Sequence, residues 1–157
     1  MTLEELYAKI ADIKALVDER YNAAMASYYK YWQECVEQKK VIVKPAPERS
    51  HFERQSYISI DRLKKEYAMQ FSPADIGDII ESEVRTISKN GHVYETRYLM
   101  RVERIEVAAF DEPMLSYYGT FLKRDGTPLL RQISKSILQR DITRVVKTNQ
   151  TNSKNYG

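Results

Sequence analysis

The sequence predicts an α+β chain: a long N-terminal α-helix, a short second helix, and then a small antiparallel β-barrel or curled sheet of about five strands. Three observations carry this. Residues 3–44 hold neither glycine nor proline and repeat apolar residues at helical spacing. From Gly77 onward apolar and polar residues alternate, which is the period of a strand. Asn90-Gly91 and Asp125-Gly126 punctuate that alternating region as tight hairpin turns do.

The first helix is expected from about residue 2 to about residue 40, within an N-terminal segment 1–43. Thr2 followed by Glu5 makes a capping box, in which the hydroxyl accepts from the Glu5 amide while the carboxylate reaches back. Glu4 and Glu5 suit the positive end of the helix dipole, and Lys39 and Lys40 suit the negative end. Pro45 and Pro47 then stop the pattern. Along the helix Leu3, Leu6, Ile10, Ile13, Val17, Tyr21, Ala24, Tyr28, Tyr31 and Cys35 recur every three or four residues, a coiled-coil-like seam. A neighbouring stripe, Met25, Tyr29, Trp32 and Val36, joins it in the second half. The seam is narrow at first and broad later, enough there for the chain's own core plus a partner. Aromatic side chains fit that double role, because each buries a large rigid area and leaves a polar tip in water. The expected partner face is Leu6, Ile10, Ile13 and Val17, with Tyr28, Tyr29, Tyr31 and Trp32 as anchors.

Residues 44–56 are polar and carry two prolines, which predicts a linker. Ile60, Leu63, Tyr67 and Phe71 step at helical spacing and predict the short second helix, opening the domain 57–147. Ser72 and Pro73 then suggest a single turn. Residues 78–89 read as the first strand, and Asn90-Gly91 predicts a two-residue type I′ turn. The second strand is long. Tyr94, Thr96, Tyr98, Met100 and Val102 share one face, whereas Ile105 and Val107 continue with shifted parity, so a bulge is expected near Glu103–Arg104. Residues 114–123 and 128–133 read as strands around the Asp125-Gly126 turn. A short turn through Ile137 and Leu138 and a last strand over 141–146 follow, and residues 148–157 read as a flexible tail. The spacing of strands and turns over residues 76–147 resembles that of SH3-like barrels, which implies a surface for peptides or nucleic acids.

The composition excludes several chemistries. Five isolated glycines make no phosphate-binding loop, and Cys35, His51 and His92 match no zinc spacing. No metal, cofactor or catalytic residue is expected, and Cys35 belongs to the apolar seam as an inert thiol. One cysteine makes no internal disulfide, and no apolar run is long enough for a membrane span, so a cytoplasmic protein is expected. Glu81, Glu83, Glu95 and Glu103 share a hairpin, where cross-strand pairing with Arg97 or Arg101 accounts for them better than acid–base catalysis. The net charge of +3 is carried by the C-terminal part: residues 111–157 hold eight basic against four acidic residues. Two functions therefore stand. The first is a non-enzymatic assembly or adaptor protein that self-associates or binds a protein through its helix, of the kind found as accessory or inhibitor proteins of viruses and mobile elements. The second is a nucleic-acid-binding barrel dimerised by the helix, with Lys123, Arg124, Arg131, Arg140 and Arg144 on phosphate.

Overall fold

The computed structural model describes residues 1–108 and 110–148. It divides into two units, Met1–Lys64 and Lys65–Gly157. Helix α1 spans Leu3–Glu37, and its N-terminus is closed as the sequence requires. The Thr2 hydroxyl accepts from the Glu5 amide at 3.2 Å, and the Thr2 amide donates to Glu5 Oε2 at 2.7 Å. The other end closes without glycine. Lys39 has a φ of 53°, in the left-handed region. Its amide donates to Val36 O at 3.2 Å, and the Lys40 amide donates to Cys35 O at 2.8 Å. These two bonds make a Schellman cap, with lysine where glycine is usual.

Helix α2 spans Arg49–Met69, so the second helix is long rather than short and begins inside the expected linker. After Pro47 nothing breaks the helix, and Arg49 pairs with Glu53 one turn on, Nε to Oε1 at 2.8 Å. Phe52, Ser56, Ile60, Leu63 and Tyr67 give its covered side a helical period of three and four. In the first unit this side meets α1. Arg49 forms an ion pair with Asp18, and its guanidinium lies 5.5 Å from the centre of the Tyr21 ring. The Tyr21 and Phe52 rings meet edge to face at 6.0 Å.

The second unit is an antiparallel sheet. Its strands are β1 (Ile79–Ile87), β2 (Val93–Ala108), β3 (Met114–Leu122), β4 (Ile137–Leu138) and β5 (Ile142–Val146), in the order β4-β3-β2-β1-β5. β4 and β5 are the two outer strands, and no pairing between them closes the sheet among the described residues. The sheet is therefore open, and neither the barrel nor the SH3-like spacing is supported. The reason lies in residues 128–133, expected to give a strand. They make only one bridge, Leu122 to Pro128, and Leu130 is 97% exposed. A two-residue β4 cannot carry the sheet around to β5.

The side chain of Gln132 stands in for the missing strand. Its Oε1 accepts from the Phe121 amide at 2.8 Å, and its Nε2 donates to Phe121 O at 3.2 Å and to Leu129 O at 2.9 Å. The side-chain amide thus gives the Phe121 amide its acceptor and shares the Phe121 carbonyl with the Leu129 amide, which donates to it at 3.0 Å. Beneath the sheet, Ile80, Met100, Val102, Leu115, Tyr117 and Phe121 form the core with Ala68 and Ala74. The long β2 keeps this core covered by changing register between Val102 and Arg104, at the bulge that parity requires.

Both glycine turns use one device, and it is not the type I′ turn expected at Asn90-Gly91. Gly91 donates to Ser88 O at 3.0 Å and Gly126 to Lys123 O at 2.9 Å. The Ser88 amide donates to His92 O, and the Lys123 amide to Thr127 O, each at 2.8 Å. Only the glycine has positive φ, 80° and 87°. Each is a type I turn followed by a left-handed glycine, the three-residue hairpin alternative.

Candidate functional site

On α1 the side chains divide between two faces. Of the expected seam, Leu6, Ile10, Val17 and Cys35 are buried, while Leu3, Ile13, Tyr21, Ala24, Tyr28 and Tyr31 are half-buried. Val17 borders a small cleft with Ser56, Tyr57 and Ile60 of α2, so this part of the seam is used within the chain itself. The Tyr31 hydroxyl accepts from the amides of Val43 and Lys44 at 3.1 and 3.3 Å, folding that segment back on the helix, and Lys44 Nζ lies 5.0 Å from the ring centre. Tyr28 packs between Tyr29 and Tyr31 at 6.4 and 6.2 Å.

The neighbouring stripe is open. Tyr29 is 58% exposed, Trp32 43% and Val36 52%. These three lie three and four residues apart, one above another on a single face. Twenty-nine residues are eight turns of helix, which brings Tyr7 onto the face that Val36 ends, and Ala11 above it. Tyr7 and Ala11 are exposed as well. Of the expected partner residues, then, Tyr29 and Trp32 stand in the open, and Leu6, Ile10 and Val17 do not. Val36, outside that expected set, completes the open stripe.

The basic residues proposed for nucleic acid are not gathered in one patch. Arg124 and Arg144 border a concavity of about 720 Å³ on the solvent face of the sheet, together with Arg97, Glu81, Glu83 and Glu95. The concavity is lined by as many carboxylates as guanidiniums, three of each. Arg97 Nε donates to Glu83 Oε1 at 3.0 Å, which raises the arginine's pKa, and Arg85 Nε donates to Glu95 Oε1 at 3.1 Å. Arg140 sits 5.2 Å from the centre of the Phe110 ring, away from this concavity. Lys123 and Arg131 are exposed and border none of it. Nor does β3 offer the bases an open aromatic surface: Tyr117 and Phe121 are core, and Tyr118 lies under Arg104 at 4.4 Å.

One buried charge was not legible in the sequence. Asp78 is 1% exposed. Its Oδ2 accepts from the Asp75 amide at 2.9 Å and pairs with Lys147 Nζ at 2.9 Å, and its Oδ1 accepts from the Thr148 amide at 3.3 Å. Burial alone would push the carboxyl's pKa up; the Asp75 amide, Lys147 and the Thr148 amide together hold it below the usual value. The hydrogen bond to Asp78 raises Lys147 in turn. This set fastens the end of β5 to the start of β1. Among the described residues no cluster of His, Cys, Asp and Glu could hold a metal ion, Cys35 is a buried free thiol, and no helix is long and apolar enough to cross a membrane.

No protein-family model, no curated protein and no solved structure matches this chain.

Proposed function

We propose that the protein is a cytoplasmic, non-enzymatic assembly protein that self-associates through the open stripe of α1. The observation that carries this is the ladder Tyr29, Trp32 and Val36, exposed beside a seam that the chain has already covered. A helix covered on one apolar face needs no second aromatic stripe for its own folding. A second copy suits the stripe because of the residues at its far end. In an antiparallel two-fold pair, Tyr7 falls opposite Val36 of the other copy and Ala11 opposite Trp32, so a small side chain receives the largest one. Each large aromatic removes roughly 150–250 Å² from water. Three of them with their flanks fall short of the roughly 800 Å² per partner of a standard interface, so the association is of micromolar strength rather than obligate.

Sedimentation equilibrium of the full chain tests this. A mass above 18.4 kDa that rises with concentration is expected. The double variant Tyr29→Ser plus Trp32→Ser then sediments as a monomer with unchanged helix content, because neither side chain is part of the buried seam.

A further inference from the structure

The β1–β2 hairpin outruns its neighbours. β3 pairs with β2 only from Leu99 onward, and β5 pairs with β1 only from Ile79 to Ser82. Residues 93–98 of β2 therefore have β1 on one side and no strand on the other among the described residues. The amide of Val102 donates to Asp78 O, toward β1, so even-numbered residues of this stretch turn their backbone groups to β1. The N–H and C=O groups of Val93, Glu95 and Arg97 point outward and pair with no strand among the described residues, an edge open to strand addition.

The same edge borders the 720 Å³ concavity, across from Arg124 and Gly126 of the second turn, with Leu99 and Leu122 among its apolar lining. Its charges are unevenly spent. Glu83 is paired with Arg97 and Glu95 with Arg85. Glu81 and Arg144 face each other as rungs of β1 and β5. Arg124 has no ion pair among the described residues and stands beside the open edge next to Lys123. A strand laid on this edge thus meets uncompensated positive charge.

A second copy of the same edge fits poorly. Pairing Glu95 with Arg97 of a copy matches charges, but it places the copy's Tyr94 at the rung of Tyr98, the position Lys123 occupies after Leu122. The register that clears this position sets Glu95 against Glu95 of the copy, a directly opposed like pair.

We propose that this edge binds an extended segment of a different protein, added as a strand along Val93–Arg97, with carboxylates on the face toward Arg97 and Arg124. The residues between them point to the opposite face, beside Tyr94 and Tyr98, and are apolar. Main-chain bonds give the affinity and Arg124 the preference for acid. This site lies in the second unit and is independent of the α1 stripe.

The test uses the full chain and blocked seven-residue peptides of alternating valine and glutamate, read by fluorescence anisotropy at low salt. Binding of this peptide, at least about tenfold weaker binding of its lysine counterpart, and about tenfold weakening by Arg124→Glu are expected. N-methylation of the alternate peptide amides that face β2 abolishes binding, and methylation of the other set does not. No binding at about 1 mM, equal binding of the lysine peptide, or indifference to N-methylation overturns the proposal. So does protection of the Val93, Glu95 and Arg97 amides from exchange in the protein alone, which would mean that a second copy already occupies the edge.

Discussion

A Cβ placed on Gly119 would collide with the carbonyl oxygen of Arg101. The β2 bulge brings the backbone of Arg101 to Glu103 down onto β3 at this rung, and backbone cannot step aside as the tip of a side chain can. The smallest substitution, Gly119→Ala, therefore costs about 3 kcal/mol or more and separates β3 from β2. Urea unfolding followed by tyrosine fluorescence and circular dichroism measures it. A loss below about 1 kcal/mol would mean that the bulge is not held this tightly.

Lys39 carries the opposite prediction. Its left-handed backbone strains any residue with a Cβ by about 1 kcal/mol. Lys39→Gly keeps both Schellman bonds and removes that strain, for a gain of about 0.5–1 kcal/mol in the stability of the first unit. Lys39→Val goes the other way. Thermal melts of the two variants should bracket the wild type.

Gln132 is predicted to matter more than an exposed loop residue usually does. Gln132→Ala leaves the half-covered amide of Phe121 without its acceptor, while the Phe121 carbonyl keeps the Leu129 amide at 3.0 Å, at a cost of about 1–3 kcal/mol. Gln132→Glu keeps an acceptor for the Phe121 amide but sets a carboxylate against two carbonyl oxygens, and it should be at least as damaging at neutral pH. Lowering the pH to protonate the glutamate should recover part of the loss.

The Asp78–Lys147 pair makes stability depend on pH at both extremes. The folded-state pKa of Asp78 lies below its unfolded value of about 3.9, so its contribution is complete above that value and is lost as pH falls through the folded pKa. Lys147 is raised above its unfolded value of about 10.4, so its contribution is complete below that and is lost as pH rises through the folded pKa. Lys147→Met should remove the alkaline loss at this site and leave Asp78 with its two amide donors. Denaturation midpoints compared between wild type and variant from pH 2 to 11.5 would show whether the difference narrows at both ends.

Local signals were legible in the sequence and distant ones were not. Thr2 and Glu5 lie within one turn, and their box forms as expected. The parity change after Val102 located the bulge, because the core face must be kept. The start of α2 was hidden: Arg49 to Gln55 read as linker by polarity, whereas their helix rests on the absence of breakers and on Phe52 meeting Tyr21 across the hairpin of helices. The stretch 128–133 looked like a strand by its apolar content, yet a glutamine side chain does that work. Both glycine turns were placed correctly, and the one at Asn90-Gly91 was typed wrongly, since an Asx-Gly pair also ends a three-residue loop. For the interaction face, the sequence marked two apolar stripes on α1 but not which of them α2 would cover.

The most direct test of the central claim is the emission of Trp32, the chain's single tryptophan, over a dilution series from about 500 to about 1 µM, with iodide quenching at each point. If α1 stripes pair, emission is blue-shifted and quenching weak at high concentration, and both move toward values for exposed indole on dilution, with a midpoint in the micromolar range. Emission and quenching of exposed indole at every concentration would contradict self-association through this face.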